Sequence, residues 1–224
     1  MAFVGYNAIM EKRIRRGGLR TPEGMLYELT GGNLALDFVN TVDSRPTDHP
    51  NELLPTYNEL FSWARQTKVR SRLEELNLIK KADRHPNEGE AARKSAIALR
   101  EVMFQIFNNV IDGKKIPEDT LAKWNKYVQR SNDLYELVKT KDRFSWECNA
   151  DPLEFDAILW PIVHSAVELM TGPNIEKLRR CAAENCDWLF LDMSKAGNRR
   201  WCDMTVCGNR TKAQRFYSRK TRKK

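Results

Sequence analysis

The stretch that decides the fold is CAAENCDWLFLDMSKAGNRRWCDMTVCGNR, residues 181–210. It contains four of the chain's five cysteines, arranged as two C-x4-C pairs with fifteen residues between the pairs. Two close cysteine pairs joined by a hairpin-sized segment are typical of a structural metal site. The alternative interpretation is four free cysteines buried in a core, and the spacing favours the metal.

We predict that these cysteines bind one Zn²⁺ ion and that the ion is structural. Four thiolates complete the tetrahedral shell of zinc, so no position stays open for water or substrate. The Zn–S bonds would supply folding energy to a segment that has few large apolar residues. The predicted ligands are Cys181, Cys186, Cys202 and Cys207, whereas Cys148 is expected to pack as a small apolar side chain.

The residues between and after these cysteines predict a β-hairpin followed by a helix. Residues 188–191 alternate as a strand, 194–198 form a turn, and 199–202 return as the second strand. Thr205 can then cap a helix over residues 206–219, whose first turn holds the last cysteine. Treble clefs and zinc ribbons use such a hairpin followed by a helix that starts at a metal ligand.

The positive charge of the chain is concentrated around these cysteines. The 224 residues carry a formal net charge of +8. Residues 175–224 contain 14 Lys/Arg and 5 Asp/Glu, a net +9, whereas the other 174 residues sum to −1. Four thiolates with one Zn²⁺ would lower the charge of this segment by about 2. A basic block of this kind suggests a polyanionic partner such as nucleic acid.

Residues 25–172 predict a mostly helical body with one small β-hairpin. The apolar spacing of residues 33–42 favours a helix capped by Asn33, with a strand as the competing interpretation. Residues 134–148 alternate well enough to predict the hairpin. Helix starts are predicted at Pro55, at the capping box of Ser71 and Glu74, and after Pro117. The longest helix is predicted from an apolar stripe that Gly113 ends, formed by Ala96, Leu99, Met103, Ile106 and Val110. Asp151 is expected to cap a last helix, which Pro161 should kink.

The chain is therefore predicted to be an α+β protein in three parts. Residues 1–24 are a basic, flexible arm that is either a solvated tail or touches phosphate. Residues 25–172 are the body, and residues 173–224 are a treble-clef or ribbon-like Cys₄ zinc finger with a basic C-terminal helix and tail. The sequence has neither a stretch of about 18 apolar residues nor a secretory signal, so we expect a cytoplasmic protein without a membrane partner.

Two motifs resemble a known family. CGNR at 207–210, preceded by a C-x4-C pair and a tryptophan-containing strand, is similar to the CGNR zinc finger. GGNLALDFVNTVDSRP at 31–46 resembles the opening motif of the ABATE-type α/β domain, which precedes that finger in such proteins. The resemblance covers roughly residues 25–220. It implies a stress-induced transcription regulator of the bacterial cytosol or nucleoid, and the finger has also been described as RNA-binding.

The basic residues beside the predicted metal site are the candidates for nucleic-acid contact. Asn209 and Arg210 either read base edges or support the site, where backbone N–H groups after Cys207 are expected to donate to sulfur. Phe216 and Tyr217 either pack on a tryptophan of the hairpin or stack on bases. The predicted contact residues are Arg199, Arg200, Asn209, Arg210, Lys212, Arg215, Arg219 and Lys220, with Arg222, Lys223 and Lys224 in the tail.

The body contains no convincing catalytic motif, since His49, His85 and His164 are scattered and no glycine-rich phosphate loop is present. We therefore expect a protein that is not an enzyme. The polar residues of the LDFVNT motif and the arginine after it either line a small-ligand pocket or bridge backbone groups in the core. These residues are Asp37, Asn40, Thr41 and Arg45.

The leading hypothesis is a zinc-dependent nucleic-acid-binding protein, a DNA-binding transcriptional regulator. Its body would sense a small-molecule effector or mediate association. A homodimer is plausible because one small finger reads few bases. The alternatives are an RNA-binding zinc-ribbon protein and a zinc-shaped protein-interaction module without nucleic-acid binding.

Overall fold

The computed structural model describes residues 18–21 and 24–221, which fold as an α+β protein. Most of the predicted arm, residues 1–17 and 22–23, lies outside the described residues. The rest of it forms a β-hairpin between β1 (Gly18–Thr21) and β2 (Gly24–Tyr27). The hydroxyl group of Tyr27, at the end of β2, donates to the carbonyl oxygen of Glu59, so this hairpin is joined to the body.

The described residues contain seven α-helices and four two-stranded antiparallel sheets. The helices are α1 (Leu34–Val39), α2 (Tyr57–Gln66), α3 (Arg72–Arg84), α4 (Pro86–Ile111), α5 (Glu118–Asn132), α6 (Leu159–Thr171) and α7 (Asn209–Thr221). The remaining strands are β3 (Val42–Asp43), β4 (Asn51–Glu52), β5 (Tyr135–Lys139), β6 (Phe144–Cys148), β7 (Leu178–Arg180) and β8 (Leu189–Leu191). A short 3₁₀ helix, Pro173–Lys177, joins α6 to β7.

Helix α4 lies at the centre of the body, where it packs against α1, α2, α3 and α5. Its side chains Leu99, Met103 and Phe107 are fully buried, which gives the longest helix a continuous apolar stripe. Val110, predicted to belong to this stripe, is 39% exposed and lies outside the core. Helix α6 completes the body by packing against α1 and α5.

Two of the predicted helix caps are present in the structure. The side chain of Asn33 accepts hydrogen bonds from the backbone N–H groups of Ala35 and Leu36, and the predicted capping box of Ser71 and Glu74 is present. Pro55 was expected to start α2, but Thr56 is the cap and the proline precedes it. Thr56 takes this place because its hydroxyl oxygen accepts the N–H of Asn58, a bond that proline cannot make.

Pro161 lies in the first turn of its helix and not in the helix interior, where a kink was expected. The carboxylate of Asp151 caps only a turn, by accepting from the N–H of Leu153, and α6 begins eight residues later at Leu159. Pro161 is therefore the third residue of the helix. N–H groups in the first turn have no intrahelical partner, so a proline there removes no hydrogen bond. No described helix is long and apolar enough to cross a membrane.

Candidate metal centre

The four cysteines predicted as ligands come together at one point. Their sulfur atoms lie within 4.8 Å of one another, and all four residues are buried and free of disulfide bonds. The Sγ atoms of Cys186, Cys202 and Cys207 are separated by 3.6–3.7 Å. A tetrahedron with Zn–S bonds of about 2.3 Å has edges of about 3.8 Å. The donor set therefore fits one zinc ion in a closed Cys₄ site.

Short, irregular segments position each ligand. Cys181 directly follows β7, and Cys186 precedes Asp187, whose positive φ of 60° turns the chain into β8. Cys207 lies in a π-helical turn, Met204–Gly208, that leads into α7. The carboxylate of Asp203 caps this turn by accepting the N–H of Val206.

Thr205 was expected to be the cap, but its hydroxyl group instead donates to the Asp203 carboxylate. The aspartate, four residues before Cys207, is the site residue that the sequence prediction missed. Asp is among the preferred N-cap residues, so the signal was present.

The crowded thiols need a cation. Hydrogen bonding among the sulfur atoms drives the pKa of Cys181 far below its ordinary value and raises the pKa of Cys186 and of Cys202 far above theirs. The hydrogen bond with Cys181 raises the pKa of Cys207, but those with Cys186 and Cys202 lower it, and the net shift is downward. The protein alone thus favours thiolates at two positions and opposes ionisation at the other two. A divalent cation removes this conflict, because it attracts every sulfur and displaces the remaining protons.

Arg210, the last residue of the CGNR motif, supports the metal centre directly. Its Nη2 atom lies 3.3 Å from Cys207 Sγ, where it donates a hydrogen bond to the ligand. The backbone N–H groups after Cys207 were expected to play this part. The N–H of Gly208 instead binds the carbonyl oxygen of Asp203, and that of Asn209 binds the carbonyl oxygen of Met204. A Cβ atom at Gly208 would lie 2.5 Å from Met204 Sδ. That contact involves a flexible side chain, so alanine should be only mildly unfavourable.

Strand β8 pairs with a different segment from the one predicted. Residues 199–202 were expected to form its partner strand, but β8 pairs with β7, which precedes the first cysteine. The other edge of β8 is occupied by the body: Asn40 Oδ1 accepts the N–H of Leu189, and the carbonyl oxygen of Gly31 accepts the N–H of Leu191. Residues 199–202 consequently have no free edge of β8 to join.

The same motif, residues 31–42, fastens the finger to the body at two further points. Asn40 Nδ2 donates to the carbonyl oxygen of Leu189 at 2.8 Å, so one amide satisfies both backbone groups of that residue. The indole Nε1 of Trp188 donates to the carbonyl oxygen of Val42 at 2.9 Å. Asn40 and Trp188 are buried, which makes this a dry interface between finger and body.

Comparison with known families agrees with this geometry. Residues 32–173 match the ABATE family, described as "Putative stress-induced transcription regulator". The chain belongs to the ABATE family. Residues 177–220 of this ABATE protein match the CGNR zinc finger. A comparison with curated proteins found no match.

Of the two adjacent arginines predicted to contact nucleic acid, Arg199 lies against the metal centre of this ABATE protein and Arg200 does not. The Arg199 guanidinium stacks on Phe190, 4.4 Å from the ring centroid, and donates to the carbonyl oxygens of Trp201 and Cys202. It therefore fixes the chain next to a ligand. Arg200 is exposed, with its guanidinium 5.6 Å from the centroid of Trp201.

Helix α7 projects into solvent. Every described side chain from Lys212 to Lys220 is exposed, including Phe216 at 64% and Tyr217 at 66%. The two rings contact each other edge to face, with centroids 5.7 Å apart. The expectation that they pack on the finger's tryptophans is wrong, because Trp188 is buried against the body. The side chain of Arg219 and residues 222–224 lie outside the described part of the chain.

Three of the four residues of the predicted ligand pocket bridge backbone groups, as the alternative interpretation stated. Asn40 binds Leu189, the hydroxyl group of Thr41 donates to the carbonyl oxygen of Phe38, and Asp37 accepts the N–H of Gly31. Burial raises the pKa of Asp37 to about 6, against the hydrogen bond from Gly31, which lowers it.

The fourth residue, Arg45, lines a cleft of about 380 Å³. It is paired there with Glu101 through two hydrogen bonds of 2.6 and 3.1 Å. Beside it, Arg100 is paired with Glu52 at 2.6 and 2.7 Å. Because these arginines are already neutralised, the cleft resembles a structural ion-pair network more than a ligand site.

Proposed function

We propose that this protein is a zinc-dependent DNA-binding transcriptional regulator whose finger contacts DNA through α7. The observation that carries the proposal is the contrast between the two ends of this helix. Its first turn is fixed to the Cys₄ site, and the rest of its described side chains are exposed. An isolated helix of this length is only marginally stable in water, so a basic helix without a packed face suits an anionic surface.

The charge of this segment supports the same partner. Residues 209–224 contain eight Lys/Arg and no Asp/Glu. Lys212 and Arg215 are exposed, three residues apart, and therefore lie on one side of the helix. In the proposal they bind phosphate, with Lys220 and Arg200, while exposed Asn209 reads a base edge. Arg199 and Arg210 hold the metal centre in shape.

The test is a fluorescence polarization titration of labelled duplex DNA at several salt concentrations. We expect log K to fall linearly with log salt, and the double variant Lys212→Glu/Arg215→Glu to reduce the slope by about 0.9 for each lost phosphate contact. Zinc removal should abolish binding. Lys80→Glu is the matched control, because Lys80 is an exposed lysine on α3. Absence of binding at low salt, or binding that survives chelation, contradicts the proposal.

RNA is the second candidate, and the exposed pair Phe216 and Tyr217 favours it. Unpaired bases stack on aromatic side chains at about 1–3 kcal/mol per base. Competition between single-stranded RNA and duplex DNA of the same sequence separates the two candidates. If Phe216→Ala weakens only RNA binding, RNA is the target. A protein-docking role predicts that charge reversal on α7 changes neither affinity.

We include a homodimer in the proposal, because duplex sites are commonly read as two half-sites by a two-fold dimer. Sedimentation velocity of the zinc-loaded protein, with and without DNA, measures the stoichiometry. A single finger bound per duplex over the whole concentration range contradicts the dimer and leaves DNA binding intact.

A further inference from the structure

A second cleft, of about 320 Å³, opens between α4, α5 and α6 on the helical body. Its volume lies at the lower end of the range found for small-molecule sites. The floor is apolar and aromatic, with Trp160 only 3% exposed and Val102 and Tyr127 half-buried. The rim is basic, and Lys123, Lys126 and Arg130 all come from α5.

Helical spacing explains why the cleft is open. On α4 its wall is formed by Ser95, Ala98 and Val102, which lie on one face at i, i+3 and i+7. Two of the three are small, so α4 leaves a groove facing α5. The cationic residues of α5 follow the same spacing and border this groove along two turns of the helix.

The positive charge at the rim is only partly neutralised. Lys123 is paired with Asp119 at 3.2 Å, and Arg130 with Asp156 at 2.7 Å. Lys126 makes no ion pair within the part of the chain that the structure describes. Arg130 uses one of its five N–H donors for Asp156, which holds the guanidinium 5.1 Å from the centroid of Trp160. Further donors are thus available beside an aromatic floor.

This cleft differs from the one beside Arg45 by one cation. Arg130 is paired with Asp156, which also lines the cleft, but Lys126 has no ion pair among the described residues. Both arginines of the other cleft are paired with carboxylates at 2.6–3.1 Å. Lysine and arginine side chains beside a tryptophan suit a ligand that is flat and apolar at one end and negatively charged at the other. A neutral apolar compound would leave Lys126 without an anionic partner from the ligand, and a fully polar anion would gain nothing from the apolar side chains Val102 and Tyr127.

We propose that the cleft between α4, α5 and α6 binds small aromatic monoanions, such as aromatic carboxylates. The ring packs against half-buried Val102 and Tyr127 and reaches only the small exposed part of Trp160. The carboxylate accepts hydrogen bonds from Lys126 and Arg130. As an effector site, this inference rests on the proposed function, since an effector needs a DNA affinity to regulate. The binding step itself is independent of DNA.

Isothermal titration calorimetry of the zinc-loaded full chain with naphthalene-2-carboxylate tests the site. Naphthalene-2-carboxamide has the same shape without the charge, and we expect it to bind at least tenfold more weakly. Lys126→Glu should weaken the carboxylate about tenfold and leave the amide unchanged. Ala98→Trp should abolish both by filling the groove, and we expect this variant to fold because Ala98 is exposed.

Lys80→Glu serves as control and should change neither affinity. The proposal is overturned if the carboxylate does not bind below about 1 mM, if the amide binds equally well, or if Lys126→Glu has no effect. Thermal unfolding confirms that each variant is folded before it is scored.

DNA binding is measured separately by polarization, which keeps the two proposals apart. Carboxylate binding without any DNA affinity contradicts the proposed function and leaves the cleft standing. Carboxylate binding that leaves DNA affinity unchanged contradicts the effector role. DNA binding without carboxylate binding contradicts the cleft alone.

Discussion

Asn40 shows how one side chain can connect two parts of a protein. An amide offers a donor and an acceptor side by side, and Leu189 presents both of its backbone groups at 2.8 Å. Hydrophobic residues lack these groups, and a carboxylate lacks the donor. A polar residue in an apolar run therefore indicated a side chain that binds buried backbone groups. The pattern did not indicate the partner, which is 149 residues away in sequence.

Asn40→Ala should lower the free energy of unfolding by about 2–4 kcal/mol, because it leaves a buried N–H and C=O without partners. Asn40→Asp keeps the acceptor only and should be comparably harmful. Urea denaturation measures both, with Asn125→Ala on exposed α5 as a control that should change little. A loss below 0.5 kcal/mol for Asn40→Ala would mean that water replaces the amide.

Arg210 allows the two roles considered for it to be separated. Arg210→Met keeps the length of the side chain and removes the donor to Cys207 Sγ, so we expect zinc affinity to fall about tenfold. Competition with a chromophoric zinc chelator measures this affinity. Lys212→Met, two residues later and exposed, should leave zinc affinity unchanged. Unchanged zinc binding with reduced DNA affinity in Arg210→Met would assign the arginine to recognition instead.

The buried Asp37 carboxyl group should make the free energy of unfolding fall as the pH rises. Its folded pKa of about 6 lies above the ordinary 3.8, so the folded state favours the protonated form. The protonated Asp37 carboxyl group therefore adds to the free energy of unfolding. This added stability is fully present below about pH 4 and is lost as the pH rises through 6. Asp37→Asn can still accept from Gly31 and should be more stable than the parent at pH 7, by about 2–3 kcal/mol.

Urea unfolding of both proteins from pH 5 to 7 measures this difference, which should grow as pH rises. Comparing the two proteins cancels the protonation of zinc ligands that they share. A difference that is constant over this range would show that the carboxyl group titrates normally.

At the scale of elements, local signals predicted local structure. The Asn33 cap, the capping box of Ser71 and the hairpin of β5 and β6 all depend on residues close in sequence, and the structure confirms them. The pairing of β8 was wrong because it depends on competition between distant edges. Residues 199–202 are close in sequence to β8, but β7 occupies one edge of β8 and Asn40 binds the other. A local sequence pattern reveals neither of these contacts.

Pro161→Ala tests the corrected position of α6. A proline that kinks a helix interior costs about 3 kcal/mol, so its replacement would stabilise the protein. In the first turn the proline costs no hydrogen bond and reduces the conformational entropy of the unfolded chain. Alanine should therefore lower the free energy of unfolding by up to about 1 kcal/mol. The sign of the change in urea denaturation decides between the two positions.

At the scale of the molecule, the metal centre could be predicted from the spacing of the four cysteines together with the strand, turn and helix signals around them. The attachment of the metal-binding finger to the body could not be predicted from the sequence. The hydrogen bonds from Asn40, Gly31 and Trp188 join segments that are about 150 residues apart, and each looks unremarkable in its own neighbourhood. The exposure of Phe216 was missed for the same reason. Phe216 was expected to pack on a tryptophan of the finger, but Trp188 is bound to Val42 of the body.

Zinc removal should therefore affect the body as well as the finger. Chelation frees Cys181, Cys186, Cys202 and Cys207 and loosens β8, which leaves Asn40 and the carbonyl oxygen of Val42 buried without partners. We expect calorimetry to show a lower melting temperature for the whole chain, in one transition. A body transition that stays at the same temperature after chelation would show that the two parts unfold independently.

The double-sided pairing of β8 also limits how this finger can be reused in protein engineering. A graft of residues 177–220 onto another protein would carry the four cysteines and α7 but leave Asn40 and Val42 behind. The graft would then expose an open strand edge, which invites pairing with other chains and aggregation. A host would have to supply an amide beside Leu189 and an acceptor for the Trp188 indole, because zinc alone does not make this finger portable.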